Sequence, residues 1–264
     1  MILDPFFTVI TVCLNAGIDL TRTVQSVLMQ SYDNFELIIK DGGSVDGSFD
    51  MLPNDERIVK VSKSDSGIYD AMNQALIFTK GRYVLFLNAG DLFYDDSVLK
   101  TFHDSILASN YPNLVYCDNM NTRLQIRLYG PRKISKQFFF RNTLCHQVCM
   151  IERNSFNLLK GFDCDYRVLA DWDFLIRLTL LDGFRYKYIS ILGILYSSGG
   201  FSDKNGDLIS KELKVLQLRY FSKIFRLYNV FYNLTMPKYR IKLMAGNGRL
   251  TKMYFYLINI LKRI

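Results

Sequence analysis

The chain has 264 residues, 49% of them hydrophobic, with 33 Lys and Arg against 25 Asp and Glu and a formal net charge of +8. This length and apolar content exclude a disordered chain and allow a full core, so one main domain plus an extension is expected. Five cysteines at irregular spacing (Cys13, Cys117, Cys145, Cys149, Cys164) exclude a disulfide framework and read as reduced core residues, while no apolar run approaches the about 18 residues of a membrane span.

The opening residues lack the basic leader and small-residue cleavage site of a signal peptide, and the cytoplasm is the expected compartment. "FFTVITVCLN" then reads as a buried strand, and Leu20, Val24, Val27 and Leu28 follow as a helical stripe. "FELIIKDGGS" is a second strand that ends in an Asp-Gly-Gly loop, and "RIVKVSKSD" is a third. "SDSGIYDAMNQA" starts a helix with Ile68, Met72 and Leu76 as its apolar stripe, before a fourth strand, "RYVLFLNAGD". Such alternation predicts an α/β fold with a mainly parallel sheet covered by helices. Ligands of such sheets bind beyond the carboxyl ends of the strands, which here carry Asn15, Asp41, Asp65 and Asp91.

The middle is less regular. "DSVLKTFHDSILAS" predicts a helix, "NLVYCDN" and "TLCHQVCMIER" strands, "LADWDFLIRLTLLDG" a helix closed by Gly183, and "FRYKYISILGILY" a long strand leading into "SSGGFS". After about residue 206 the pattern is of aromatic and basic helices, broken at Pro237 and by "AGNG".

Each polar motif has a plain and a chemical reading. Asp91 in "NAGD" is an N-capping turn residue, or the one carboxylate that Mg²⁺ or Mn²⁺ needs when a substrate diphosphate completes its shell, with Gly90 permitting close approach of the backbone. "DGGSVDG" suits tight turns, or offers the Asp41 carboxylate to a nucleobase N–H. It lacks the Gly-Lys-Ser/Thr of a phosphate loop, and the dinucleotide fingerprint is missing as well. Asp171 and Asp173 suit a helix start, or supply a general base and a neighbouring acid. Cys145, His146 and Cys149 show no fourth partner for zinc. In the opening of the second helix Asp65 is the candidate for ligand contact and Asp70 for capping.

Taken together, "ITVCLN", "DGGSVDGS", "SDSGIYDAMNQA", "GRYVLFLNAGD", "HQVCMIER" and "ADWDF" resemble, in order and spacing, the inverting family 2 glycosyltransferases, in particular the bacterial branch that builds O-antigen, capsule and exopolysaccharide units. The resemblance covers roughly residues 6 to 203. It implies a GT-A fold, with a Rossmann-like nucleotide-binding half joined to an acceptor-binding half around one sheet. It places Val12, Asn15, Asp41 and Gly42 at the nucleotide, with Asp41 on the base, and Asp65, Gly67 and Asn73 along the nucleotide and donor sugar. Asn88 and Gly90 would line the same site, Asp91 would hold Mn²⁺ or Mg²⁺, and Asp171 would be the catalytic base. Asp173 would be a structural or acceptor-side partner, and His146 and Gln147 would lie near the donor sugar and acceptor. The commoner metal motif has acids where Asn88 and Gly90 stand, so metal is expected to bind weakly without nucleotide.

The implied reaction is transfer from a nucleotide sugar, with UDP preferred, to a hydroxyl of a lipid-linked saccharide such as an undecaprenyl diphosphate sugar, with a β-linkage as product. A non-catalytic nucleotide-sugar-binding protein and a sugar nucleotidyltransferase are the alternatives. The pairing of Asp91 with Asp171 argues against the first, and the absence of a basic glycine-rich triphosphate loop from "VCLNAGIDLTRT" argues against the second.

The charge is concentrated. From residue 211 onward there are seven Lys and five Arg against one acid, Glu212, a surplus of eleven that leaves the rest of the chain at −3. Residues 1–205 are read as the catalytic domain and 206–264 as a basic, aromatic-rich helical extension that lies on an anionic membrane surface. That puts the protein at the inner face of the cytoplasmic membrane, with no nucleic-acid partner expected.

Overall fold

The computed structural model describes residues 4–197, 205–223, 225 and 227. Strands β1 (Phe7–Cys13) and β2 (Phe35–Asp41) are buried along their whole length, as strands covered on both faces must be. They run parallel with Cys13 opposite Asp41. β3 (Ile58–Ser62) adds in parallel outside β2, with Ser62 opposite Asp41, and β4 (Tyr83–Phe86) lies parallel on the other side of β1. The carboxyl ends of these strands therefore share one edge of the sheet.

The crossover helices are α1 (Ile18–Leu28) and α2 (Ile68–Leu76). α1 buries Leu20, Val24 and Val27 as expected, with Leu28 half-buried. α2 departs from its expected stripe: of Ile68, Met72 and Leu76 only Met72 is buried, and the inward face is Tyr69, Ala71, Met72 and Ala75. The small alanines let the helix lie close to the sheet, and this rotation turns Tyr69 inward.

The second half is mixed. β5 (Leu92–Phe93), α3 (Val98–Ala108), β6 (Leu114–Asn121) and β7 (Ile126–Leu128) precede β8 (Cys149–Glu152), α4 (Arg153–Leu159), α5 (Ala170–Leu178), β9 (Tyr186–Tyr196) and α6 (Gly206–Tyr220). The strand order is β3-β2-β1-β4-β8-β6-β9-β5, with β7 paired to β6. β8 runs antiparallel to both β4 and β6, β9 is parallel to β6, and β5 and β7 pair antiparallel with β9 and β6. The expected strand "TLCHQVCMIER" is a strand only from Cys149 on; His146–Val148 form a 3₁₀ turn ahead of it. β5, β7 and α4 are too short to show a period in the sequence.

The chain divides into two compact units, residues 1–213 and 214–264. The first holds the sheet, α1 to α5 and the start of α6. In the second, the described part is the end of α6 and a short stretch where the Phe221 and Phe225 rings stack with centroids 5.5 Å apart. Residues 198–204, most of the basic tail, Pro237 and "AGNG" lie outside the described residues. No helix among the described residues is long and apolar enough to cross a membrane.

Candidate active site

After β4 the chain makes a turn at Asn88–Asp91, closed by Asp91 N–H on the Asn88 carbonyl at 2.9 Å. Gly90 takes a φ of +100°, open to glycine and strained for other residues. Its N–H donates to Thr23 Oγ1 at 2.9 Å, and the same hydroxyl lies 2.9 Å from the Asp91 carbonyl, so α1 holds the turn in place. Among the described residues no hydrogen bond or ion pair reaches the Asp91 carboxylate. Burial pushes its pKa up to about 7, with the nearby His146 pulling the other way.

The Asp41 carboxylate is buried and fully engaged. It accepts from Gly43 N–H at 2.9 Å, from Ser44 N–H at 3.0 Å and from the Ser44 and Ser62 hydroxyls. Burial raises its pKa, and these hydrogen bonds outweigh that and hold it below the usual range. The carboxylate expected to meet a nucleobase thus accepts hydrogen bonds from Gly43 and Ser44 of its own loop and from Ser62 of β3. The loop in turn meets the β1 end, where Ser44 Oγ accepts Asn15 N–H at 2.7 Å and Asn15 Oδ1 accepts Val45 N–H at 2.9 Å. Asn15 holds a left-handed φ of +50°, which Asn tolerates. Val12 is buried within β1, and its carbonyl accepts Ala89 N–H at 3.4 Å.

Asp65 is anchored from below by a residue that the motif reading passed over. Lys40, fully buried in β2, donates to Asp65 Oδ2 at 2.8 Å and to the carbonyls of Asp41 and Lys63. A Cβ on Gly42 would stand 3.0 Å from the same Asp65 oxygen, so glycine leaves the carboxylate its room. Gly67, at φ +146°, enters α2, and Asp70 accepts from Ser66 N–H at 2.8 Å, the capping role expected of it. The signal for Lys40 is a lysine directly after the apolar run Leu37, Ile38 and Ile39 of the strand, which a buried ion pair explains.

The first turn of α5 closes the site. Asp171 Oδ1 accepts from Trp172 N–H at 2.8 Å and lies 3.0 Å from the Tyr69 hydroxyl, while Oδ2 is 3.3 Å from His146 Nδ1. His146 Nε2 in turn is 3.0 Å from Asn88 Nδ2. Burial lowers the His146 pKa, but the Asp171 carboxylate and the Asp91 charge outweigh it and the net shift is upward. One imidazole thus joins the β4 turn to α5. Tyr69, with its pKa pushed up by burial and by Asp171, is the second residue that the sequence reading missed.

Two further candidates are held by contacts within the fold. The Asn73 amide donates to the Phe162 carbonyl at 2.9 Å and accepts Phe162 N–H at 2.8 Å, so it braces the 161–164 loop. Asp173, two residues along the helix from Asp171 and so on its other side, is fully buried and pairs with Arg177 Nε at 2.6 Å. Of the structural and acceptor-side roles expected of it, this buried pair fits the first. Gln147 is buried in the 3₁₀ turn beside His146. Of the cysteines, Cys13, Cys117 and Cys149 are buried, Cys145 is half-buried and Cys164 is exposed, so not all five are core residues.

The chain is similar to known proteins in sequence and in fold. The model of "Glycosyl transferase family 2" matches residues 8–156. A PGL/p-HBAD biosynthesis glycosyltransferase of Mycobacterium tuberculosis is 33% identical over 205 residues, covering 75% of this chain and 80% of that protein. The putative teichuronic acid biosynthesis glycosyltransferase TuaG of Bacillus subtilis is 32% identical over 148 residues, covering 53% of this chain and 59% of TuaG. Among solved structures, a S. aureus TarS fragment in complex with UDP-GlcNAc superposes with a TM-score of 0.62 at 15% identity, over 82% of this chain and 68% of that one. The mannosyltransferase PcManGT of Pyrobaculum calidifontis, in complex with GDP-Man and Mn²⁺, gives 0.59 at 14% identity, over 100% of this chain and 82% of its own. At these identities the structural likeness speaks for the GT-A-like fold.

Proposed function

The chain belongs to glycosyl transferase family 2, and from that premise we propose that it moves a sugar from a nucleoside diphosphate sugar, UDP-linked by preference, to a hydroxyl of a saccharide acceptor with inversion. The observation that carries the reading is the Asn88–His146–Asp171 chain, with contacts of 3.0 and 3.3 Å, which joins the carboxyl end of β4 to a carboxylate with a free lone pair. In this reading the nucleotide lies across the ends of β1, β2 and β3, between the Asn15–Ser44 contact and the Lys40–Asp65 pair. Asp41 builds the wall of that pocket through Ser44.

Asp91 fits a divalent cation in one particular way. It is a lone carboxylate without a donor, and the described residues hold no group of three His, Cys, Asp or Glu that would bind a metal unaided. Mn²⁺ or Mg²⁺ would be held by Asp91 together with the nucleotide oxygens, and when bound it neutralises charge on the departing diphosphate. Asp171 Oδ2 takes the proton of the acceptor hydroxyl, whose oxygen bonds to the anomeric carbon from the side opposite the nucleotide as the bond to the diphosphate breaks. An α-linked donor thus yields a β-linked product. The tyrosine and tryptophan donors to Oδ1 keep the other oxygen occupied, so the proton goes to Oδ2.

Relatives named for PGL/p-HBAD and teichuronic acid biosynthesis support a surface-glycan acceptor, and the basic tail supports a lipid-linked one reached at the inner face of the membrane. A screen of nucleotide sugars by hydrolysis selects the donor, and release of UDP or GDP as against pyrophosphate separates transferase from nucleotidyltransferase. Asp171→Asn is expected to lower transfer by about 10²-fold or more, since positioned bases contribute about 10²–10⁴, with titration of UDP and Mn²⁺ unchanged. A variant that keeps more than about a tenth of its rate would place the base elsewhere.

A further inference from the structure

The residues that lead into α5 are held by a carboxylate from far along the chain. Arg167 N–H donates to Glu212 Oε1 at 2.8 Å, and Val168 and Leu169 N–H donate to Oε2 at 3.0 and 2.9 Å. Glu212 lies in the second turn of α6, is 8% exposed, and is the one acid among residues 211–264. The other edge of the same segment is tied to the site: the Val168 carbonyl accepts the Tyr69 hydroxyl at 2.6 Å, and the Leu169 carbonyl accepts Asp173 N–H at 2.9 Å. Asp171 stands two residues beyond Leu169.

We propose that Glu212 is a positioning residue for the catalytic base, so that α6, at the root of the C-terminal extension, sets the reach of Asp171. The proposal rests on Asp171 being the base. Its physical ground is that Val168 and Leu169 are 4% and 6% exposed, so water cannot readily replace the carboxylate on their N–H groups. A buried donor left without an acceptor is costly. Without Glu212 the segment therefore shifts to find other partners and carries Asp171 with it, and a displacement near 1 Å can cost about 10²-fold in rate. The nucleotide pocket, built from the ends of β1, β2 and β3, does not depend on this segment.

The test is made in the full chain with Glu212→Ala, Glu212→Gln and Glu212→Asp. Three quantities are read: kcat and KM for UDP release from UDP-GlcNAc or the donor that the hydrolysis screen selects, affinity for UDP with Mn²⁺, and the thermal midpoint. Alanine is expected to lower kcat by about 10²-fold and glutamine by about tenfold, with UDP affinity within about twofold of the parent and aspartate recovering part of the loss. An alanine variant with the parental kcat overturns the proposal. Loss of UDP binding in step with kcat overturns it too, because Glu212 would then support the fold as a whole. Should alanine not fold, the nearly isosteric glutamine variant decides by the same criteria, and its failure to fold or to bind UDP counts against the proposal. Asp171→Asn run in parallel separates the two claims: if it stays active the base assignment fails, and if it is inactive while Glu212→Ala is active only the role of Glu212 falls.

Discussion

A half-buried carboxylate with no donor keeps its proton longer than one in water. Asp91, pushed up to about 7, binds more protons in the folded than in the unfolded chain between roughly pH 4 and 7. Over that range the stability of the metal-free protein falls as pH rises, and above about 7 the full cost of the buried charge is present. Asp91→Asn is therefore expected to raise the thermal midpoint of the metal-free protein at pH 8 and to leave it unchanged near pH 4, as scanning fluorimetry would show. The same substitution should weaken UDP binding in the presence of Mn²⁺, and the parent's metal-supported binding should fade as pH drops below about 7. Tyr69 has one hydroxyl proton and two acceptors, Val168 O at 2.6 Å and Asp171 Oδ1 at 3.0 Å. It can turn to the carboxylate while that is charged and to the carbonyl once the carboxylate holds a proton. Tyr69→Phe is expected to lower kcat about tenfold or more, since hydrogen bonds to charged groups are worth about 1.5–3 kcal/mol, with UDP affinity unchanged in titration.

At the scale of elements, β2 carries more than its pattern suggests. A lysine in a strand that is otherwise buried would be costly alone, and Lys40 is there because Asp65 and two carbonyls meet its ammonium group. Removing one partner of such a pair costs about 3–5 kcal/mol, so Lys40→Met should lower the thermal midpoint and also weaken UDP binding by releasing Asp65. Unchanged UDP affinity in that variant would remove Asp65 from the nucleotide site. The strands β1, β2, β4 and β9 and the amphipathic helices α1 and α3 are legible because their apolar patterns span the element. The face of α2 was not. A stripe of Ile68, Met72 and Leu76 satisfies the four-residue spacing, but alanines pack closer to a sheet than leucine and isoleucine do, and the helix turned to bury Ala71 and Ala75 together with Tyr69.

At the scale of the whole chain the charge asymmetry sets an expectation that holds whatever the donor. Twelve basic residues and one acid from residue 211 onward should bring the 264-residue chain down with anionic phosphatidylglycerol vesicles and not with neutral ones. Binding should fall steeply as salt rises toward 0.5 M, where the Debye length drops to about 4 Å. Equal sedimentation with both vesicle types would remove the membrane from the account of the tail.

The line of polar residues at the strand ends, the acids Asp91 and Asp171, and the basic tail follow from the sequence alone, because each depends on local pattern or on charge counted along the chain. Which of those polar groups find partners within the fold was decided by tertiary contacts. Asp41, Asn73 and Asp173 look as available in the sequence as Asp91 does, yet partners brought in by the fold, Ser62 to the first, Phe162 to the second and burial beside Arg177 to the third, satisfy them. Lys40, Tyr69 and Glu212 act through neighbours 25, 102 and about 45 residues away. A hydrogen bond of that separation leaves no period and no motif in the chain, and only the packing of the sheet and helices shows where it closes.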